Sequence, residues 1–248
     1  MAFNAQFTLA EILSLLGLAQ SVYVLVYMLL RSGSFVNAII PSLYFGFMGA
    51  AFFFDAAAGR WAGGFDHYET LQWFFWFSGI PLGALLIFQI AQVPQAPRLK
   101  YYLLLLLIPI SFLPRFVFDE PQILYVSGLI IGAFSLLAIW LRRDLLDGLH
   151  NDPKFGKERF WLILALITLN TAFLGATFAY ISNAIEAMQW LGIRTLLGIA
   201  FVYIAATSLF RIYPQALKLD RKDGATAPLK SEEQLLLERL DALFDREK

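Results

Sequence analysis

Ionisable side chains gather where the apolar stretches of this sequence end. Asp55 and His67 follow one apolar stretch, Arg115 closes another, and Glu186 and Arg194 flank the start of the last. Carboxylates and guanidinium groups form charge-assisted hydrogen bonds, and together they can hold an anionic or amphiphilic ligand. We therefore take these five residues as a candidate ligand-binding site on the outer face. The competing interpretation is a solvated rim with an aromatic belt, which membrane proteins generally carry.

Residue patterns for catalysis are missing from the sequence. The chain has no cysteine, and its two histidines, His67 and His150, fall in loops predicted on opposite sides of a membrane. Thiol chemistry, a zinc site of the H-E-x-x-H kind and bis-histidine haem therefore do not fit. No lysine falls inside a predicted span, which excludes a retinal Schiff base. We predict no enzymatic activity, no cofactor and no metal.

The composition indicates an integral membrane protein. Of the 248 residues, 59% are hydrophobic and 15% are charged, and the mean hydropathy is +0.64. Ordinary soluble domains carry about 25% charged residues, so this chain has too little polar surface for a water-facing globule. Nineteen basic and nineteen acidic residues balance. This balance gives no reason to expect direct contact with nucleic acid.

Seven apolar stretches approach the length of about 20 residues that crosses a bilayer. They cover residues 9–30, 35–54, 71–91, 101–118, 122–141, 160–181 and 190–212. Pro109 and Pro114 interrupt the fourth stretch, which we predict to be kinked. No basic residue precedes the first stretch and Glu11 lies in its first turn, so we expect this helix to be retained rather than cleaved as a signal peptide. The predicted fold class is all-α, a polytopic protein with seven transmembrane helices over residues 1–213.

Lys and Arg residues are distributed unevenly between the two sets of predicted loops. The set that includes the segment after the seventh stretch holds most of them (Arg31, Arg98, Lys100, Arg142, Arg143, Lys154, Lys157, Arg159, Arg211, Lys218, Arg221 and Lys222). The opposite set holds Arg60, Arg115 and Arg194. The positive-inside rule then places the N-terminus outside and the C-terminus in the cytoplasm. We expect a multi-pass protein of a bacterial inner membrane.

The C-terminal residues form a unit of their own. Residues 214–230 read as a linker and residues 231–248 as a short cytoplasmic helix, which Ser231 and Gln234 begin as a capping box. Leu236, Leu240 and Leu243 follow at spacings of four and three, which is typical of a coiled-coil seam. We predict a homodimer through this seam. The alternative is an amphipathic helix lying on the membrane or on its own domain.

This C-terminal pattern resembles the junction in membrane-anchored AraC-type transcriptional regulators. The matching residues are Leu229, Ser231, Glu232, Glu233, Leu237, Leu240, Leu243, Glu247 and Lys248. The resemblance implies a multi-span sensor followed by a linker helix and then a helix-turn-helix domain, which these 248 residues do not contain. The sequence fits either a sensor half cut at a domain boundary or a stand-alone relative with its output elsewhere. Similar sensors precede histidine kinases and nucleotide cyclases, so the type of output stays open.

Three functions remain in competition. The first is a sensor that detects an extracytoplasmic or membrane-dissolved small ligand and signals through the C-terminal helix to a transcriptional output. The second is a carrier or channel subunit with a cavity near Asn37, Gln72, Asn170 and Asn183. The third is an assembly subunit whose aromatic faces pack against a larger membrane complex (Phe45, Phe47, Phe52, Phe53, Phe54, Phe74 and Phe75). In each case the main partner is the lipid bilayer.

Overall fold

A computed structural model describes residues 8–31, 35–61, 68–92, 99–118, 122–149 and 156–211. These residues form eight α-helices and one 3₁₀ helix. The α-helices are α1 (Leu9–Arg31), α2 (Phe35–Trp61), α3 (Tyr68–Gln92), α4 (Leu107–Val117), α5 (Gln122–Trp140), α6 (Arg143–Leu149), α7 (Gly156–Ile181) and α8 (Ala187–Arg211). The 3₁₀ helix, Leu99–Leu106, leads directly into α4. The all-helical prediction is confirmed for this part of the chain.

Six of these helices are long and apolar enough to cross a membrane: α1, α2, α3, α5, α7 and α8. The fourth predicted span differs, because it is divided between the 3₁₀ helix and the short helix α4. Pro109 has no N–H, and its ring clashes with the carbonyl four residues earlier, which belongs to Leu105 in the 3₁₀ helix. The change of helix type therefore falls just ahead of this proline.

Helix α3 is the interior element of the bundle. It lies against α2, α4, α5, α6, α7 and the 3₁₀ helix, and 83% of its most apolar window is buried. Small residues permit this contact, because a Cβ on Gly79 would meet Met48 Sδ at 2.9 Å and one on Gly83 would meet the Phe201 ring at 3.1 Å. Close approach at small residues is a common way for membrane helices to pack.

Helix α1 is the peripheral element. Only 28% of its apolar window is buried, and it lies against α2 and α8. Its first turn is a capping box, in which the Thr8 hydroxyl accepts from the Glu11 N–H at 3.2 Å and Glu11 Oε2 accepts from the Thr8 N–H at 2.7 Å. Because α1 lies against α8, the first and last described helices are neighbours.

A tight turn joins α7 to α8. Asn183 has φ of 56°, a left-handed conformation that asparagine tolerates better than most residues. The N–H groups of Asn183 and Ala184 donate to the carbonyls of Tyr180 and Ala179 at 3.0 and 2.8 Å, which is the hydrogen-bond pattern of a Schellman cap. This turn sets the start of α8 beside the end of α7.

Candidate functional site

A buried ion pair joins α2 to α8. Arg194 Nη2 donates to Asp55 Oδ1 at 2.5 Å, and the two side chains are 2% and 6% exposed. Asp55 lies fewer than two turns before the end of α2, and Arg194 lies about two turns after the start of α8. Both residues are therefore inside helices that are apolar enough to span a membrane.

Two side chains from α3 complete the coordination of the Asp55 carboxylate. Gln72 Nε2 donates to Oδ1 at 2.5 Å and Trp76 Nε1 donates to Oδ2 at 3.1 Å. Three donors from two other helices thus face one carboxylate. Burial of a carboxylate in an apolar bundle is tolerated when its oxygens are paired and hydrogen-bonded in this way.

The guanidinium of Arg194 lies against two indole rings. Its Cζ is 4.7 Å from the ring centroid of Trp76 and 4.5 Å from that of Trp190. Desolvated cation–π contacts of this kind contribute about 2 kcal/mol. Arg194 Nε has no hydrogen-bond partner among the residues that the structure describes. We call Asp55, Gln72, Trp76, Trp190 and Arg194 the Asp55 cluster.

Helix α7 is joined to the cluster through Trp190. Its indole N–H donates to Thr177 Oγ1 at 3.4 Å, and its ring stacks on Tyr180 and on Trp73 with centroids 5.2 and 5.4 Å apart. The side chains of four helices, α2, α3, α7 and α8, therefore meet at this level of the bundle. A displacement of α8 would disturb all of these contacts together.

A small cavity adjoins the cluster on the side of Trp76. Its volume is about 30 Å³, and its lining includes Tyr44, Trp76, Asn170, Phe173 and Gly198. This space is enough for one or two water molecules. Asn170 is 7% exposed, so its amide is a polar group of the bundle interior beside an otherwise largely apolar wall.

The structure brings together two of the five predicted site residues. Asp55 and Arg194 form the centre of the cluster, whereas Arg115 donates through Nη1 to the Phe118 carbonyl at 3.3 Å and Glu186 is exposed in the turn before α8. Neither Arg115 nor Glu186 belongs to the Asp55 cluster. His67 lies outside the described residues. Of the five predicted residues, Asp55 and Arg194 are thus in direct contact in the structure.

Other predicted residues are also located by the structure. Leu236, Leu240 and Leu243 lie outside the described residues, as does the whole C-terminal helix. Gln72 bonds to Asp55, Asn170 lines the small cavity and Asn183 is exposed in a turn, so these three residues do not line one common cavity. Phe45 and Phe52 are fully buried within the bundle, which removes them from any surface available to a larger complex.

Sequence reasoning missed the roles of Trp76 and Trp190. An aromatic belt would leave these two tryptophans at the rim of the protein, but each is 2% exposed and contacts the Arg194 guanidinium. The available signal was helical spacing, because Gln72 and Trp76 are four residues apart and so lie on one face of α3.

Among the described residues, no group of three or more His, Asp or Glu side chains is placed to hold a metal ion. The cluster holds one buried charge pair, in which Asp55 and Arg194 are in contact. The sequence matches no protein-family model, and neither a curated protein nor a solved structure shows significant similarity to it.

Proposed function

We propose that this chain is a membrane-embedded sensor that detects an extracytoplasmic or membrane-dissolved small ligand and signals through its C-terminal helix to a transcriptional output. The observation that supports this function is the buried Asp55–Arg194 pair, which links α2 to α8. Helix α8 is the described helix that precedes the linker and the predicted helix over residues 231–248. A change at the pair therefore acts on the element nearest to the output.

The pair suits a two-state mechanism. Separating two buried charges costs several kcal/mol, so partly opened arrangements are sparsely populated. A ligand whose own charged group replaced Asp55 or Arg194 would favour an arrangement with α8 released from α2. Moving such an equilibrium from 1:99 to 99:1 requires about 5.5 kcal/mol of differential affinity. That requirement is of the same order as the energy of one buried pair.

The orientation that this function requires is N-terminus outside and C-terminus in the cytoplasm of a bacterial inner membrane. It requires seven spans, with the 3₁₀ helix and α4 together forming the fourth. Eight residues at about 2.0 Å each and eleven at about 1.5 Å each total about 32 Å, close to the thickness of a hydrocarbon core. Arg142, just after α5, lies 5.6 Å from the Tyr101 ring at the start of the 3₁₀ helix. This contact is consistent with two antiparallel spans.

Cysteine cross-linking tests the coupling between the pair and the C-terminal helix. The chain has no cysteine, so Leu240→Cys introduces a unique thiol at the predicted dimer seam. In a parallel coiled coil, thiols at such a position approach closely enough to form a disulfide. We expect Leu240→Cys to form a covalent dimer in membranes, and we expect Asp55→Asn in the same background to change its yield. The double variant Asp55→Arg/Arg194→Asp exchanges the two charges and keeps the ion pair. Its cross-linking yield should therefore equal that of Leu240→Cys alone.

Two controls accompany this experiment. Asp144→Asn removes an exposed carboxylate and should leave the cross-linking yield unchanged. The full chain should be a dimer in detergent solution, and a chain that stops after Leu219 should be a monomer. Equal oligomeric states with and without the tail, or a yield insensitive to Asp55→Asn, would contradict the proposed coupling.

A carrier is the second candidate, and one observation favours it. Asp55 and Arg194 lie inside apolar helices, where ionisable residues often mark transport pathways, and the Asn170-lined cavity adjoins them. Flux of a solute or of protons across liposomes that contain the full chain, abolished by Asp55→Asn, would support the carrier instead of the sensor.

A further inference from the structure

A second cavity lies on the surface of the bundle between the 3₁₀ helix and α5. Its volume is about 500 Å³, and most of its wall is apolar, including Leu103, Leu107, Phe134 and Leu137. Leu103 and Phe134 are 64% and 55% exposed, so this groove opens sideways from the bundle. Because α5, which forms one side of the groove, is apolar enough to cross a membrane, the opening faces the region that lipid chains would occupy.

One end of the groove is basic. Lys100 and Arg142 both line it, and none of its described lining residues is acidic. Asp144 accepts from Arg142 Nε and Nη2 at 2.9 and 2.8 Å, which engages two of the five N–H donors of the guanidinium. Three N–H groups of Arg142 and the Lys100 ammonium group are therefore left to donate hydrogen bonds to an anion. The charge of this end is therefore complementary to a phosphate.

A buried hydroxyl adds an independent indication of a polar ligand. Tyr101 lines the groove and is 6% exposed, and its Oη has no hydrogen-bond partner among the described residues. Its ring stacks on Phe88 with centroids 4.4 Å apart, which fixes the hydroxyl in place. A buried hydroxyl without a partner costs about 1–3 kcal/mol. An oxygen atom of a bound ligand would remove that cost.

We propose that this groove binds one anionic glycerophospholipid. The headgroup phosphate lies between Lys100 and Arg142, an oxygen of the headgroup or glycerol accepts from Tyr101 Oη, and one acyl chain follows the apolar wall. A soluble phosphate would make no contact with the apolar wall. A zwitterionic lipid has no net negative charge, so its electrostatic attraction to the basic end is weaker. The basic end and the apolar wall together therefore favour an anionic glycerophospholipid as the occupant.

Lipid titration followed by native mass spectrometry tests the proposal. The delipidated full chain is titrated with phosphatidylglycerol and with phosphatidylcholine of the same acyl chains. With Asp144 paired to Arg142, the net charge of this end is +1, which corresponds to about a 5-fold preference for phosphatidylglycerol. The double variant Lys100→Gln/Arg142→Gln should lose that preference. The matched double variant Arg115→Gln/Lys157→Gln removes the same charges elsewhere and should keep it.

A second variant keeps the test decisive if the double variant fails to fold. Ala138→Phe fills the apolar part of the groove while both cations remain, and it should weaken the first-bound phosphatidylglycerol. Equal affinities of the unaltered chain for the two lipids would overturn the proposal, and so would an equal loss in the matched control. Displacement of the bound lipid by inorganic phosphate would also overturn it, because the site would then recognise a soluble anion.

Discussion

Asp55 Oδ1 and Arg194 Nη2 are 2.5 Å apart although the two residues are separated by 139 positions in the sequence. The pair joins the second helix to the last described helix, and α3 contributes the remaining donors to the carboxylate. Opposite charges in contact also lower the cost of keeping either charge within an apolar bundle. The pair therefore contributes to assembly of the bundle as well as to its proposed switching.

Removing either charge alone should destabilise the protein more than removing both. Asp55→Leu or Arg194→Leu leaves a buried charge without its partner, and each should lower the free energy of unfolding by about 3–5 kcal/mol. The double variant should lose less than the sum of the two. Unfolding in an SDS titration measures the cycle. The exposed pair Arg142–Asp144 serves as the control and should show only weak coupling.

Gly198→Ala should destabilise the protein, in contrast to the same change at Gly192. A Cβ on Gly198 would lie 2.6 Å from the Trp76 ring, whereas one on Gly192 would meet no heavy atom within 4 Å. Overpacking of this kind costs about 1–3 kcal/mol, while Ala in place of Gly in a helix interior gains up to about 1 kcal/mol. Thermal unfolding in detergent compares the two. A higher melting temperature for both variants would contradict the packing at Trp76.

Trp76→Phe tests the contribution of the Trp76 hydrogen bond separately from that of its aromatic ring. The substitution keeps an aromatic ring near Arg194 and removes the N–H that donates to Asp55 at 3.1 Å. A hydrogen bond to a charged group contributes about 1.5–3 kcal/mol, and we expect a loss of this size in SDS unfolding. Trp161→Phe is the control, because Trp161 is 60% exposed. Equal effects of the two variants would argue against the Asp55–Trp76 bond.

The ion pair between Arg142 and Asp144 should weaken only in acid. The hydrogen bond from Arg142 holds the pKa of Asp144 below its usual value of 3.8. A carboxyl whose folded pKa is lowered stabilises the fold above its unfolded pKa, and this contribution is lost as the pH falls through the folded value. The difference in melting temperature between the parent and Asp144→Asn should thus be constant from about pH 5 to 8, begin to fall below about pH 4, and be lost once the pH is below the folded pKa. A change centred near neutral pH would contradict the assignment.

The sequence predicted the helices well but placed their ends by hydropathy alone. The second predicted span ended at Phe54 because Asp55 follows, yet α2 continues to Trp61. Ala56 and Ala57 favour helix strongly, and a helix does not end where the hydropathy of its residues falls. Asp55 was therefore predicted at the rim of the protein, whereas the structure buries it.

The nature of the site was only partly accessible from the sequence. Residue type favours charged partners for Asp55 and Arg194, and the structure adds a hydrogen bond from Gln72 to Asp55. No spacing rule relates Asp55 to Arg194, because their contact depends on α8 returning to the side of α2 after five further α-helices and the 3₁₀ helix. The separate positions of Arg115 and Glu186 follow from the same long-range packing.

The order of helices along the chain has a consequence for biosynthesis. Asp55 leaves the ribosome 139 residues before Arg194, an interval of about 7–28 s at ordinary rates of translation. Gln72 and Trp76 follow Asp55 by 17 and 21 residues, so hydrogen-bond donors reach the carboxylate long before its counter-ion does. The Asp55 carboxylate of the nascent bundle therefore has no counter-ion until α8, the last described helix, is inserted. Insertion of α8 brings Arg194 to Asp55 and neutralises the buried charge.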